Sequence, residues 1–418
     1  MLGKINFTGI IKPYERNGYK IVPISADPSE KDIRAAIFAT KIKKPHSGMN
    51  GRAYFYGEDL VVKKYMNEKE AFNYDPSREI KALDMLFDKN IVDSNIQLGM
   101  YAFTTPQNDT YLVSTRIKGH EANPKSNPYN KENLSALVKT LGILDMPVEN
   151  ENITGNFPYE VPMHFDLYSE NFNIDKNSAG IFDFEHTRMF DLQKEIARLE
   201  RGDNWCVVDE ADIAGFVSNL RNFEYKSFLP YLMSLNSSQA QELFNEYLNI
   251  KSSYHFKRAE FFKSESLKSY KTPEQKEKLE ELSEKEKAHG ICLSKENLNP
   301  DVIRAEAMKI QLACFAFDQT IYSSKKINPK QIKEYVKKAD LIFNRLPSFY
   351  TDSNFKIYFQ DCLDLMNNWR GIINSIEMQE KYPQVIYGKD KTERLDLTGK
   401  TTNEVFATLD EKISLNFI

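Results

Sequence analysis

Between His164 and Glu185 the chain reads HFDLYSENFNIDKNSAGIFDFE, which sets Asp166, Asn171 and Asp183 in one short, aromatic-rich span. Carboxylate and carboxamide oxygens are the donors that hard Mg2+ takes, usually one or two from a protein, with phosphates and water filling the remaining positions. Phosphoryl transfer from ATP needs little else. It requires a divalent cation bridging the phosphates, a second cation on the phosphates that stay behind, and an acceptor for the proton of the incoming hydroxyl. The competing reading is an ordinary hairpin with polar decoration.

The elements around these residues decide whether they can act together. Phe172-Asn173-Ile174 reads as a short strand, DKNSAG as a turn-rich connection ending in Gly180, and Ile181 to Phe184 as the partner strand. Such a hairpin returns Asn171 and Asp183 to nearly one point, where their oxygens can share a metal-bound phosphate. Asp166, on the loop entering the hairpin, is placed to accept a hydrogen bond from a substrate hydroxyl. His164 reads as a residue that packs and hydrogen-bonds within that loop.

The pattern His164-x-Asp166-x-x-x-x-Asn171, followed by Asp183-Phe184, resembles the catalytic loop and D-F-G-type acid of the protein-kinase-like superfamily. That group includes protein kinases and the aminoglycoside and choline phosphotransferases. The resemblance implies an α+β, two-lobed fold with a small β-rich N-lobe and a helical C-lobe. It also implies ATP and Mg2+ as cofactors, Asp166 as catalytic base, and Asn171 and Asp183 as metal ligands.

Upstream, DLVVKKY resembles the strand carrying the phosphate-binding lysine, which its pattern places at Lys63, with Lys64 on the opposite face because strand side chains alternate. Which of the two lysines serves stays open. Glu79, in SREIKALDML, sits where the helical glutamate that pairs with that lysine is expected. HSGMNGRAYFYG resembles a weak glycine-rich loop in which Gly48 and Gly51 admit backbone amides to phosphate, although a plain hairpin turn fits the same residues. YLVSTRIKGHE corresponds to the hinge strand beside adenine, with backbone groups at Thr115 to Ile117 as partners. The likeness runs from about residue 45 to 190, in the family's order throughout.

The chain departs from the family at four points. Phe165 replaces the arginine that pairs with a phosphorylated activation loop, and Tyr168 replaces a lysine that steadies the phosphoryl group in transfer. Glu185 stands in place of the glycine of D-F-G and adds an acid, either a bystander or a further ligand. No A-P-E-like motif follows, and 186–205 reads as helical rather than as an activation loop. The favoured expectation is an atypical bacterial protein kinase, a candidate effector delivered into a host cell. The alternatives are a small-molecule or phosphoinositide/inositol-type kinase, which Phe165 and Tyr168 favour, and a pseudokinase binding module. Transfer of another ATP-derived group, such as AMP, is also open.

Elsewhere, 51–65 reads as two strands joined at Gly57-Glu58, 77–90 as a helix with Ser77 as N-cap, 110–121 as a strand, and 131–146 as a helix ending before Pro147. Beyond about residue 190 helices follow one another: 209–222, 226–249, 254–268, 273–288, 300–323, 329–346 and 353–380. Thr272-Pro273-Glu274-Gln275 reads as a capping box with Pro at the first helical position. The expected division is an N-terminal extension (1–40), an N-lobe (41–120), a C-lobe (121–270) and a helical extension (271–418). YHFKRAEFFK (254–263) either meets an acidic phosphate or membrane surface through Lys257, Arg258 and Lys263, or simply packs a core.

A net charge of −4 over 418 residues gives no reason to expect nucleic acid as a partner. The four cysteines, Cys206, Cys292, Cys314 and Cys362, are scattered and read as reduced thiols. The N-terminus lacks the pattern of a signal peptide, and no run approaches the ~20 apolar residues of a membrane span. A soluble cytoplasmic protein is therefore expected, its Lys, Asn, Ile, Phe and Tyr usage fitting an AT-rich bacterial gene.

Overall fold

The computed structural model describes residues 12–47, 51–66, 75–153, 157–164, 166–191, 218–321, 337 and 350–364. The chain divides into two compact units. One comprises Met1–Ala122 with Ser169–Arg188, and the other Asn123–Tyr168 with Met189–Ile418. Gly48 and Phe165, residues 209–217 of the expected helix 209–222, all of 329–346 but residue 337, residues 365–380 of the expected helix 353–380, and the segment 192–205 lie outside the described residues.

The first unit is built on a seven-stranded antiparallel sheet. Its strands are β1 (Tyr14–Arg16), β2 (Tyr19–Pro23), β3 (His46–Ser47), β4 (Gly51–Tyr56), β5 (Leu60–Tyr65), β6 (Gly99–Thr104) and β7 (Thr110–Thr115). They lie in the order β1-β2-β6-β7-β5-β4-β3. The segment expected as an N-terminal extension thus supplies two strands of the sheet. Its hairpin turns at Asn17-Gly18, where φ is 53° and 78°, the left-handed backbone that Asn-Gly adopts in two-residue turns.

Helix α1 (Glu30–Ile42) starts from a capping box between Ser29 and Asp32. It buries Ile33 and Ala36 with Ile21, Val62, Phe103 and Val113 in one apolar cluster. Val62, fully buried, fixes the facing of β5. With a side-chain period of two, Lys63 and Tyr65 must then point to the other side of the sheet.

Helix α2 (Ser77–Asp88) buries Glu79, Ile80, Ala82, Leu83 and Leu86 along one stripe. Ser77 is its first helical residue, not its N-cap; Pro76 holds that position, and Asp75 before it accepts hydrogen bonds from the Ser77 N–H (2.9 Å) and hydroxyl (2.8 Å). The hairpin β8 (Phe172–Ile174) and β9 (Ala179–Ile181) pairs Phe172 with Ile181 and Ile174 with Ala179. It also joins the segment before β6 through Gln97 N–H to Ile181 O (2.9 Å) and Ile181 N–H to Asn95 O (2.8 Å).

The second unit is mainly helical. Helix α3 (Lys131–Leu144) is capped by Asn130. Residues 219–233 run as helical Asn219–Phe223, a π turn Glu224–Phe228, and helical Leu229–Met233. Helix α4 (Ser237–Ser266) is continuous over 30 residues where two helices were expected, since its sequence holds no Gly or Pro to break it. Helix α5 (Pro273–Leu293) opens with the expected Thr272–Gln275 capping box and pairs with α4, and α6 (Pro300–Ile321) follows.

Arg258 turns inward, bonded to Glu286 (2.7 Å), while Lys263 pairs with Glu280 (3.1 Å), so two of the three cations in the aromatic cluster are held by carboxylates. Among the described residues no helix is long and apolar enough to cross a membrane. Cys292 and Cys362 are free and buried, and burial pushes both thiols up to about 12.

Candidate active site

Glu79 lies on the apolar stripe of α2 and is 1% exposed, so its charge must be met inside the protein. Lys63, arriving from β5, meets it: its Nζ donates to Glu79 Oε2 at 2.7 Å, and the Tyr65 hydroxyl donates to the same oxygen at 2.9 Å. The same ammonium donates to Asp183 Oδ1 at 2.8 Å, although the two residues are 120 apart in sequence, and lies 3.9 Å from Glu185 Oε2. Lys64 points away, pairing with Asp109 at 3.0 Å beside the Tyr111 ring. Of the two lysines left open by the sequence, Lys63 is the one that joins the acids.

Electrostatics follow from burial. Desolvation pulls the Lys63 ammonium down, but Glu79 and Asp183 more than offset it and hold it above the ordinary lysine value. Desolvation lifts the Glu79 carboxyl above its ordinary range, with Asp183 adding to the rise and Lys63 opposing it. The oxygens of Glu79, Asp183 and Glu185 all lie within 4.8 Å of one another. Among the described residues the Lys63 ammonium meets three carboxylates, an oxygen-rich arrangement that a divalent cation would complement. The donors are all oxygen, and Asp183 and Glu185 are only partly buried, which fits Mg2+.

Asp183 adopts the left-handed conformation, φ 63° and ψ 63°, unusual for a residue with a Cβ. Gln97 holds it there: its Oε1 accepts the Asp183 N–H at 2.9 Å while its Nε2 donates to Ser114 Oγ at 2.8 Å. The strained turn begins a short 3-10 segment, Phe184–His186, in which His186 Nε2 lies 3.1 Å from Glu185 Oε1. Asn171, buried, precedes β8, and its carbonyl accepts the Phe182 N–H at 3.0 Å. The hairpin therefore brings Asn171 and Asp183 to the same open end, as its sequence predicts.

Gly51 sits in β4 opposite Tyr65. A Cβ there would lie 3.0 Å from Lys64 O and 3.4 Å from Lys63 Cγ, so glycine leaves the stem of Lys63 uncrowded. At the expected hinge, Thr115 N–H donates to Leu98 O (2.9 Å) and its Oγ1 accepts the Leu98 N–H (2.8 Å). The Ile117 carbonyl accepts from Asn173 Nδ2 (3.1 Å). These two residues thus tie the hinge to the sheet and to the hairpin.

Asp166 belongs to the second unit. Its N–H donates to the His164 carbonyl (2.7 Å), with His164 Nδ1 at 3.3 Å. His164 is itself buried, its N–H bonded to Asn219 Oδ1 at 2.8 Å, which matches the packing part expected of it. Asn219 is held in turn by Asp145 and by the Pro162 carbonyl, all at 2.8 Å.

Sequence reasoning missed Tyr65 and Gln97: Tyr65 was findable, since it shares a strand face with Lys63, while nothing local marks Gln97.

The chain matches no protein-family model and no curated protein. Among solved structures it is similar to APH(2")-IIa in a ternary complex with streptomycin and ATP. That match has 14% identity and a TM-score of 0.28, covering 56% of this chain and 89% of the other. It is also similar to a choline/ethanolamine kinase family protein from Mesorhizobium loti (10%, 0.25, covering 68% and 99%) and to choline kinase from Cryptosporidium parvum (10%, 0.30, covering 84% and 99%).

Proposed function

We propose that this protein is an ATP- and Mg2+-dependent phosphotransferase acting on an alcohol hydroxyl. The observation that carries the reading is the single ammonium of Lys63 joining Glu79 on a helix and Asp183 beyond a hairpin. A structural ion pair needs one carboxylate. Three acids around the Lys63 ammonium, Glu79 buried and Asp183 and Glu185 partly buried, with Asp183 on a strained backbone, form a set suited to further positive charge.

In this reading Lys63 holds the phosphates that are not transferred, and Glu79 with Tyr65 fixes Lys63. Asn171 and Asp183 hold Mg2+, with Glu185 beside them. Held there, Mg2+ would supply positive charge to offset that of the phosphates. Asp166 accepts the proton as the substrate oxygen attacks the γ-phosphorus and the bond to the β-phosphate oxygen breaks, releasing ADP. Thr115 and Ile117 line the adenine side, with Gly48 and Gly51 on the phosphate side.

For the acceptor, Tyr168 in place of a lysine favours a small-molecule alcohol over a protein side chain. An effector kinase acting on host protein is the second reading, resting on the idiosyncratic motif alone. Incubation with γ-labelled ATP, a cell extract and Mg2+, followed by mass spectrometry of products, separates the two: label on small molecules supports the first, label on protein the second. Asp166→Asn should lower turnover by about 10²–10⁴-fold while nucleotide binding persists. Full activity in that variant would remove Asp166 from the mechanism, and failure of the wild-type chain to bind nucleotide with Mg2+ would end the proposal.

A further inference from the structure

Tyr168 leaves the loop of Asp166 without its own cation, yet an ammonium stands beside that loop. Lys226 Nζ lies 3.8 Å from Asp166 Oδ1 and 4.6 Å from the centroid of the Tyr168 ring, its side chain only 8% exposed. We propose, resting on the phosphotransferase reading, that Lys226 contacts the phosphoryl group in transfer, so that a cation absent from the loop is delivered by a later helix.

Local structure is the first argument. Lys226 sits in the middle of the π turn Glu224–Phe228, flanked by α-helical Asn219–Phe223 and Leu229–Met233. A π turn inserts one residue into the helical ladder, is rare, and occurs frequently at functional sites. The extra residue re-aims the side chains along the turn.

The second argument is how firmly this turn is held. On one side Ser227 Oγ donates to the Leu167 carbonyl at 2.6 Å, between Asp166 and Tyr168 in sequence. On the other, Glu224, 1% exposed, accepts from Arg221 (2.8 Å), Tyr247 (2.5 Å) and Lys251 (2.7 Å). Lys251 also donates to Glu306 of α6 at 2.9 Å. The π turn is thus clamped between the Asp166 loop and a buried ionic network reaching into the later helices.

The third argument is the geometry of the ammonium. A separation of 3.8 Å is too long for a hydrogen bond but short enough for strong attraction. Asp166 and the face of Tyr168 offset part of the cost of burying Lys226. An ammonium presents three rotatable donors, which suits a group that must meet phosphate oxygens beside a base.

Calorimetry on the full-length chain with Mg2+ and either AMP-PNP or ADP tests the proposal without knowledge of the acceptor. Lys226→Met should weaken AMP-PNP at least tenfold and leave ADP within about twofold, because only the former carries the γ-group, and should lower ATP turnover about 10²–10³-fold. Lys226→Arg, which keeps the charge if the methionine variant fails to fold, should bind AMP-PNP more tightly than Lys226→Gln does. Equal losses for both nucleotides, or none, in a wild type that binds both would overturn the role of Lys226 and leave the phosphotransferase reading intact. A wild type that binds neither nucleotide overturns both.

Discussion

Replacing Lys63 with Met tests the electrostatic core of the site independently of any substrate. Glu79 is 1% exposed and Lys63 16%, so solvent screens their attraction little, while Asp183 at 34% can relax into water. Removing one partner of a buried ion pair costs about 3–5 kcal/mol. With Asp183 relaxing and Tyr65 still donating to Glu79, the lower end is expected, about 3 kcal/mol, a large part of a typical total of about 5–15 kcal/mol.

Glu79→Gln leaves Lys63 with Asp183 and should cost less. The double variant should lose about 2 kcal/mol less than the two single losses combined, because the stranded carboxylate is gone. The pH dependence has a definite sign. The folded Glu79 carboxyl titrates above its unfolded value, so its contribution is fully present below the unfolded value and is lost as pH rises through the folded one. Without the cation this rise grows, so the gap between Lys63→Met and wild type should be narrowest near pH ~4 and widen toward neutrality. Lys63 itself titrates above the ordinary lysine value and stays charged across that window. Urea midpoints from pH 4 to 8 provide the measurement. A loss below about 0.5 kcal/mol, additive single variants, or a gap flat with pH would refute the reasoning.

Three further outcomes follow from particular contacts. At Asp183 the left-handed backbone makes Asp183→Gly more stable than Asp183→Ala by about 1 kcal/mol in denaturant titrations, while both lose Mg2+-dependent nucleotide binding in calorimetry. Gly119 has φ 103°, and a Cβ there would stand 2.5 Å from the Ile174 carbonyl oxygen, so Gly119→Ala should destabilise by about 2 kcal/mol, read from the thermal midpoint. Lys251, 2% exposed between Glu224 and Glu306, should cost about 3–5 kcal/mol as Lys251→Met, seen as a lowered urea midpoint at unchanged slope.

Much of the site was legible in the sequence because its parts are local or periodic. The hairpin carrying Asn171 and Asp183 follows from turn residues between apolar pairs, and the facing of Lys63 follows from strand alternation about Val62. The continuous helix Ser237–Ser266 was less legible, since Ser252-Ser253 blurs its pattern without breaking it. The strands at 14–23 were missed although Asn17-Gly18 marks their turn, because β2 joins the sheet through β6, about eighty residues away.

By itself the sequence determined which chemical groups the protein carries, their order along the chain, and which side of each strand or helix they occupy; these are properties of neighbouring residues. Only the tertiary structure decided that one ammonium serves two distant acids, that Gln97 holds the strained Asp183, and that a π turn brings Lys226 to the loop of Asp166. Each of those facts is a distance between residues far apart in the chain, set by close packing and by the cost of leaving a buried charge without a partner.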